Sequence, residues 1–388
     1  MRFAERMAQL GTESAFEVLA RSQELEAQGQ EVVHFEIGQP NFPTPVHISE
    51  AAYDAICSGY TSYTPAAGLP AARAVIAHHV SRTRGVSVSP EQVVITPGAK
   101  PIIFFTALAL LDPGDEVIYP DPGFPIYASA LAFVEARPVP LPLLESEGFR
   151  FRLDDLVAAI SERTKLLILN SPHNPTGSCL TQADLQAIAA LAERHDFYIL
   201  ADEIYSRLIY DGKHQSILSL PGMAARTILL DGFSKTYAMT GWRLGYGVAP
   251  RAIAQQFERL AINSYSCTCS FTQMAGIAAL TGSQQPVENM VAELQQRRDV
   301  LVAGLNALPG IQCRQPAGAF YVFPNVQQLS LNSHDLATYL LEEAGIAVLA
   351  GTAFGRYGRG YLRFAYTTSL DNIYKALERM QVAIAKLG

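Results

Sequence analysis

A lysine and an arginine lie close together in one glycine-rich stretch of the sequence. Lys235 follows an apolar segment, and Arg243 comes soon after it, with hydroxyl and aromatic side chains around both. A lysine that attacks a carbonyl carbon needs a partly desolvated pocket and a neighbouring charge to lower its pKa. An arginine suits a phosphate because its guanidinium donates paired, charge-assisted hydrogen bonds. The stretch therefore indicates a Schiff-base lysine beside a phosphate-bearing cofactor, and pyridoxal 5′-phosphate is the obvious candidate.

The composition is that of a soluble protein with a large core. The chain has 388 residues, of which 49% are hydrophobic and 17% charged, and this length allows two domains of ordinary size. The net charge of −7 argues against binding to nucleic acid or to an anionic membrane surface, because both need basic patches. No uncharged apolar run is long enough to predict a membrane span.

The cysteines and the N-terminus favour a cytoplasmic protein. The five cysteines form no metal-binding or redox spacing, and their odd number fits reduced thiols. Residues 1–19 lack the continuous apolar run of a signal peptide. We therefore expect the protein to be found in the cytoplasm.

Alternating strand and helix patterns predict an α/β fold. Strand-like runs at residues 93–96, 116–119, 165–170, 197–201 and 227–231 occur with helical patterns at residues 102–111, 126–133 and 182–195. Such alternation indicates βαβ units and a largely parallel sheet. A further strand-like run, residues 244–248, follows too soon after residue 231 for a crossover helix, so its direction stays open.

The two ends of the chain have a different pattern. Near the N-terminus, residues 16–28 predict an amphipathic helix and residues 32–37 a short strand. After residue 285 come helical patterns at residues 287–305, 334–344 and 370–386 and strand-like runs at residues 319–323 and 361–366. These later segments indicate a smaller α+β domain.

Residues that could bind a ligand or take part in catalysis follow the predicted strands, where open α/β sheets bind their ligands. Ala99 and Lys100 open a helix after the first of these strands, and free backbone N–H groups there suit an anion. Phe124 lies on a stiff Pro/Gly loop and suits stacking on a planar cofactor. Each feature also has an ordinary explanation, a βα turn for the first and a core position for the second.

Four more polar residues fit a pyridine-type cofactor and its substrate. Asn174 lies in a rigid Asn-Pro-Thr-Gly turn, where its amide suits a phenolic oxygen, although an ordinary turn with Thr181 capping the next helix is the alternative. Asp202 suits a protonated ring nitrogen, although a helix N-cap is the alternative, and Tyr205 suits the ring's phenolate. Arg363 lies in an apolar strand pattern, so it must either pair within the core or bind a group such as an amino-acid carboxylate.

Together these residues resemble the fold-type I pyridoxal phosphate enzymes, and most closely the class I aminotransferases of the bacterial aspartate, alanine and aromatic type. The motifs that carry the resemblance are residues 174–177, 202–205 and 234–243. The likeness extends from Gly38 to the last helix. It implies a large domain, residues 46–285, with a mostly parallel seven-stranded sheet flanked by helices. It also implies an N-terminal arm, residues 1–45, that shares a small α+β domain with residues 286–388.

The resemblance implies a role for each of the residues above. Lys235 is the Schiff-base lysine and the carrier of the substrate proton, and Asp202 pairs with the pyridinium nitrogen. Tyr205 and Asn174 contact the phenolic oxygen. The other implied contacts are Phe124 on the ring, Ala99, Lys100, Ser234 and Arg243 on the phosphate, and Gly38, Asn174 and Arg363 on the substrate carboxylate.

Other likenesses and departures concern the phosphate and the substrate side chain. The segment around Tyr63 resembles the stretch whose tyrosine reaches the phosphate of the partner subunit, which implies a homodimer with shared active sites. Gly232 stands where many relatives have a phosphate-binding serine, and Ser234 is the candidate replacement. Phe16 stands where aspartate-preferring relatives have a threonine. No counterpart is found of the partner-subunit arginine that binds distal carboxylates in other relatives, so that function is open to Lys100.

These features favour an aminotransferase that moves the amino group of an L-amino acid to a 2-oxo acid, with 2-oxoglutarate as the expected acceptor, by a ping-pong mechanism. The alternative on the same fold is a C–S β-lyase that cleaves cysteine conjugates. A non-catalytic regulator is disfavoured because the residues before the first strand are few and not basic. A nicotinamide-dependent dehydrogenase is disfavoured because no GxGxxG motif follows a first strand. The amino donor is not identified.

Overall fold

A seven-stranded sheet forms the centre of the molecule. The computed structural model describes residues 3–387. The strands are β1 (Val33–His34), β2 (Val93–Thr96), β3 (Glu116–Asp121), β4 (Arg137–Pro142), β5 (Thr164–Asn170), β6 (Tyr198–Asp202), β7 (Thr227–Gly232), β8 (Gly245–Val248), β9 (Tyr321–Val322), β10 (Ile346–Ala347), β11 (Leu349–Ala350) and β12 (Leu362–Ala365). The helices are α1 (Ser14–Ala27), α2 (Val46–Cys57), α3 (Pro70–Arg84), α4 (Lys100–Leu110), α5 (Ile126–Phe133), α6 (Leu153–Ala159), α7 (Gln182–His195), α8 (Arg251–Ser264), α9 (Ser270–Thr281), α10 (Gln285–Asn306), α11 (Ser333–Ala344) and α12 (Leu370–Ala385).

The central sheet is parallel apart from one strand. Its order is β2-β8-β7-β6-β5-β3-β4, and β8 runs antiparallel to both of its neighbours. The direction of β8 follows from its short connection to β7, because a parallel strand needs a crossover and the described residues between the two strands contain no α-helix. The predicted α/β class, with seven mostly parallel strands flanked by helices, is confirmed.

The apolar runs become strands that are covered on both faces. In β5, Leu166 and Ile168 join one apolar cluster, whereas Leu167 and Leu169 join another. Successive side chains of a strand point to opposite faces of the sheet. A strand buried on both faces must therefore be continuously apolar, which is why these runs show no alternation with polar residues.

One strand of the sheet, β4, was not predicted from the sequence. Three of its six residues are prolines, which lack the N–H donor that a central strand needs. The sheet tolerates them because β4 lies at its edge and pairs only with β3. The prolines that hide this strand in the sequence are thus compatible with its position in the fold.

Two small sheets join the N-terminal segment to the last third of the chain. β1 pairs in parallel with β10, and β11, β12 and β9 form an antiparallel sheet. The strands predicted at residues 32–37 and 319–323 are only two residues long, because each pairs over no more than two positions. The pairing of β1 with β10 fits a small domain built from both ends of the chain, although the exact boundaries stay a prediction. No helix within residues 3–387 has the length and apolar character that crossing a membrane requires.

A buried ion-pair network fixes helix α3 to two central strands. Arg84, at the end of α3, donates to Glu203 at 2.9 Å and to Asp231 at 2.8 Å, and all three side chains are buried. Glu203 directly follows β6, and Asp231 lies in β7. The network therefore holds the ends of the two strands that lead to Asp202 and Lys235.

Replacing Arg84 should destabilise the whole protein. Arg84→Met keeps most of the side-chain volume but leaves two buried carboxylates without a cation, so the free energy of unfolding should fall by about 3–5 kcal/mol. Urea unfolding followed by circular dichroism measures this change. Arg152→Met is the control, because it breaks an exposed pair with Asp155 and should change stability little. Equal stability of the two variants would show that the network does not hold the strand ends.

Candidate active site

One cavity lies at the carboxyl ends of the central strands. Its volume is about 470 Å³, which is in the range of small-molecule sites. The residues predicted from the sequence that line it are Gly38, Ala99, Lys100, Phe124, Asn174, Asp202, Tyr205, Ser234, Lys235, Arg243 and Arg363. Tyr63 does not line it, and its side chain is 90% exposed on the surface. Segments far apart in the sequence meet here because parallel strands end at the same edge of a sheet.

Lys235 presents its amine to the cavity from the turn after β7. The Nζ atom donates a hydrogen bond to the carbonyl oxygen of Gly38, 2.6 Å away. Removal from bulk water, together with the positive charges of Arg363 and Arg243, lowers the pKa of Lys235 to about 8. At neutral pH a larger fraction of this amine is therefore uncharged than for an exposed lysine, and the uncharged form is the nucleophile.

Asp202, at the end of β6, has a buried carboxylate that pairs with no cation of the described residues. Its Oδ2 accepts a hydrogen bond from the Tyr127 hydroxyl at 2.7 Å, and its Oδ1 accepts one from the backbone N–H of Ile204 at 3.2 Å. Burial raises the pKa of Asp202 to about 6, against the lowering effect of these hydrogen bonds. Because an uncompensated buried charge is costly, the carboxylate fits a cationic group of a ligand.

Arg363 has a buried guanidinium that forms no ion pair with a carboxylate of the described residues. Its Nη1 donates to Oδ1 of Asn174 at 3.2 Å, Nη2 donates to the carbonyl oxygen of Glu36, and Nε has no partner. The rings of Tyr321 and Phe354 flank it, with centroids 4.7 and 4.9 Å from the guanidinium carbon. The salt bridge within the core that the sequence left open is not formed by the described residues. The unused donor and the charge fit a carboxylate ligand.

The start of helix α4 has the properties of an anion site. The helix begins at Lys100, and Ala99 before it has no side chain that caps the first N–H groups. Arg243 and Ser234 also line the cavity. Gly98 has a φ of +79°, and a Cβ atom there would lie 2.2 Å from Nη2 of Arg243. Glycine is therefore required both for the left-handed turn and for the approach of the guanidinium.

The glycine at position 232 has a packing reason. Gly232 lies directly opposite Gly245 in the β7–β8 pair. A Cβ atom on Gly232 would lie 3.0 Å from the Cα of Gly245 and 3.2 Å from the carbonyl oxygen of Leu244. A serine at this position would therefore require a shift of β8. That Ser234 supplies the phosphate contact which relatives make with a serine at the position of Gly232 stays a prediction.

Lys100 lines the cavity with its side chain in addition to opening α4. The Nζ atom donates a hydrogen bond to the carboxylate of Glu13, which directly precedes α1. The same Nζ lies 5.5 Å from the centre of the Phe124 ring. The sequence predicts no such pair, because nothing in the spacing of residues 13 and 100 indicates that they meet.

Two tyrosines of the cavity were also not predicted from the sequence. Tyr127 is the hydrogen-bond donor to Asp202, and the hydroxyl of Tyr321 lies 2.7 Å from that of Tyr205. A Cβ atom at Gly38 would lie 2.1 Å from the Tyr321 hydroxyl, so this contact requires glycine. Both tyrosines belong to mostly apolar runs that indicate core, and nothing in those runs marks either hydroxyl as part of a site.

Comparison with known proteins identifies the family. Residues 30–380 match the family model for aminotransferase class I and II. The chain is 39% identical over 384 residues to an aspartate aminotransferase of Pyrococcus horikoshii, covering 98% of this chain and 97% of that protein. It is 39% identical over 360 residues to aromatic-amino-acid aminotransferase 2 of Thermococcus litoralis, covering 92% of each. The solved structure of an aspartate aminotransferase from Thermus thermophilus with maleate has 37% identity and a TM-score of 0.95, covering 99% of this chain and 100% of that chain. This chain therefore belongs to the class I and II aminotransferases, enzymes that transfer the amino group of an amino acid to a 2-oxo acid.

Proposed function

We propose that this aminotransferase holds pyridoxal 5′-phosphate in the cavity, attached to Lys235, and uses 2-oxoglutarate as the amino acceptor in a ping-pong mechanism. The observation that carries the proposal is the buried, cation-free carboxylate of Asp202 in the same cavity as the amine of Lys235. Arg363 adds a buried guanidinium with an unused donor. A cationic ring nitrogen, an aldehyde and a substrate carboxylate are the groups that fit these three side chains.

The residues around the cavity match the different parts of this cofactor. When bound, the cofactor supplies an aldehyde and an electron-withdrawing pyridinium ring. Asp202 keeps a proton on the ring nitrogen, because a neighbouring carboxylate favours the cationic form. Phe124 packs on the ring, and Tyr205 and Asn174 hydrogen-bond its phenolic oxygen. Arg243, Ser234 and the first N–H groups of α4 bind the phosphate.

The substrate is oriented by one end and deprotonated at the next carbon. Arg363 binds the α-carboxylate, with Asn174 and the backbone at Gly38 beside it. The fixed carboxylate places Cα next to the amine of Lys235 rather than leaving it free to rotate. Lys235 would move the proton at the substrate Cα, and a pKa near 8 suits a base that works near neutral pH.

A homodimer with shared active sites is part of the proposal. Tyr63 is 90% exposed, and Val46 and Tyr53 in the same part of the chain are 70% and 68% exposed. Large apolar side chains this exposed fit burial against a second copy of the chain. Tyr63 then binds the phosphate in the partner's cavity. The free cysteines fit the cytoplasmic location expected from the sequence.

Replacing Lys235 should abolish both cofactor attachment and turnover. In a screen of L-amino acids with 2-oxoglutarate, the wild-type protein should form glutamate. Lys235→Ala should lose more than about 10³-fold of this activity, because the nucleophile and the proton carrier are the same group. Borohydride reduction and peptide mass mapping should find the cofactor on residue 235. Lys165→Ala, which removes an exposed lysine of β5, is the control.

Two outcomes would contradict this assignment. One is attachment of the cofactor to a different side chain. The other is that release of pyruvate and ammonia from cystathionine is the main reaction and glutamate is not formed, which would favour the β-lyase.

The Asp202→Asn variant should bind the cofactor but turn over slowly. An amide cannot hold the ring proton as a carboxylate does, so kcat should fall by about 10²–10³-fold. Steady-state kinetics with the best donor measures this loss, and the visible absorbance of the bound cofactor checks that the site is filled. Asp211→Asn removes an exposed carboxylate and should leave kcat unchanged. Near-normal turnover of Asp202→Asn would rule out the proposed role.

The lowered pKa of Lys235 predicts how cofactor-free protein captures the cofactor. Only the neutral amine attacks an aldehyde, so the rate should rise about tenfold per pH unit below the pKa and level off above it. With a pKa of about 8 in place of the ordinary 10.5, the plateau should begin near pH 8. Stopped-flow absorbance measures this rate as a function of pH. A rate that still rises above about pH 10 would show that Lys235 behaves like an exposed lysine.

A further inference from the structure

Glu13 and Lys100 form an ion pair that the mechanism above does not use. Both residues line the cavity, and the Nζ of Lys100 donates to the carboxylate of Glu13. The side chain of Glu13 is 19% exposed and that of Lys100 is 42% exposed. Lys100, the cation that the sequence left open for binding a distal carboxylate, is therefore already paired with a carboxylate of the chain itself.

Glu13 lines the same cavity as Lys235 and Arg363, and its charge acts on both of them. Burial lowers the pKa of Arg363, and the negative charge of Glu13 counteracts that effect. The pKa of Lys235 is lowered mainly by its removal from water, and Glu13 and Lys100 shift it in opposite directions. The pair thus lies near both the amine and the guanidinium that receives the substrate carboxylate.

Apolar side chains accompany the ion pair. Phe16 in α1 and Ile37 after β1 line the cavity together with Ile103 of α4 and Phe124. The Lys100 ammonium lies 5.5 Å from the centre of the Phe124 ring, a distance at which cation and ring attract each other. The ring of Phe124 and the carboxylate of Glu13 therefore stabilise the charge of Lys100 without any substrate.

We infer that Glu13 determines specificity by disfavouring substrates that carry a second, distal carboxylate. Such a carboxylate must either displace Glu13 from Lys100 or lie beside a like charge, whereas an uncharged side chain leaves the pair intact. Specificity of this kind arises from a repulsive group as much as from an attractive one. The inference rests on the proposed function and names its donor class, L-amino acids with uncharged side chains. The acceptor 2-oxoglutarate is bound only when the pair opens.

The Glu13→Gln variant tests this inference because it removes the charge and keeps the shape. The ratio of kcat/KM for aspartate to that for asparagine should rise on the order of tenfold. On the cofactor-loaded protein, the dissociation constant of maleate, a dicarboxylate, should fall by a similar factor. Glu17→Gln is the matched control, since it removes an exposed carboxylate of α1 that does not line the cavity. It should change neither quantity.

A second substitution tests whether Lys100 is the group that binds the distal carboxylate once Glu13 has lost its charge. Adding Lys100→Met to Glu13→Gln should return the maleate dissociation constant to the wild-type value or above it. If Glu13→Gln is poorly folded, Glu13→Ala carries the same expectation. An unchanged aspartate-to-asparagine ratio and unchanged maleate binding, in a variant that still turns over neutral donors, would overturn the inference but leave the proposed function standing. Absence of transamination in the wild-type protein would instead overturn both.

Discussion

The site depends on two buried charges of opposite sign that form no ion pair within residues 3–387. The carboxylate of Asp202 is held by Tyr127 and a backbone N–H, and the guanidinium of Arg363 is held by Asn174 and a carbonyl oxygen. Neutral hydrogen bonds of this kind fix the position of a charge without cancelling it. A cationic ring nitrogen beside Asp202 and a substrate carboxylate beside Arg363 would remove these two penalties. The two side chains therefore fit the cofactor and the substrate of the proposed function.

Asp202 and its neighbour Glu203 are adjacent carboxylates whose electrostatic surroundings differ. Burial acts to raise the pKa of both, but His214 and Arg84 outweigh it at Glu203 and lower that pKa to about 2. No cation within residues 3–387 acts on Asp202 in this way, and burial raises its pKa to about 6. Glu203 joins helix α3 to the sheet through Arg84, and Asp202 is the carboxylate that the proposed function assigns to the cofactor. Paired groups with pKa values driven apart in this way are typical of catalytic sites.

The residues proposed for the chemistry and those proposed for the substrate preference belong to different parts of the molecule. Asp202 ends β6 and Lys235 follows β7, and these two strands are neighbours in the central sheet, with their spacing fixed by hydrogen bonding. Glu13 and Phe16 belong to the N-terminal segment, which meets the cavity from outside the sheet. Relatives with this fold are named for aspartate and for aromatic amino acids. Because the two parts are separate, the far end of the cavity can change its substrate while the reacting groups stay in place.

The sequence by itself determined the alternation of strands and helices and the residues that follow each strand. Apolar periodicity is a local property, and the motifs around Asn174, Asp202 and Lys235 are contiguous, so both can be recognised without coordinates. The sequence also predicted the short β7–β8 connection that leaves β8 without a crossover. It did not predict β4, because edge position, which makes prolines acceptable, is a property of the finished sheet.

The tertiary structure alone decided which groups are partners. That Arg363 has no carboxylate, that Tyr127 donates to Asp202 and that Glu13 neutralises Lys100 all depend on residues far apart in the chain. No spacing rule relates such positions, since their distance is set by how helices pack on the sheet and how the N-terminal segment returns to it. A charged residue in an apolar run indicates that the charge needs a partner. Only the fold shows whether that partner is a neighbouring side chain or a ligand.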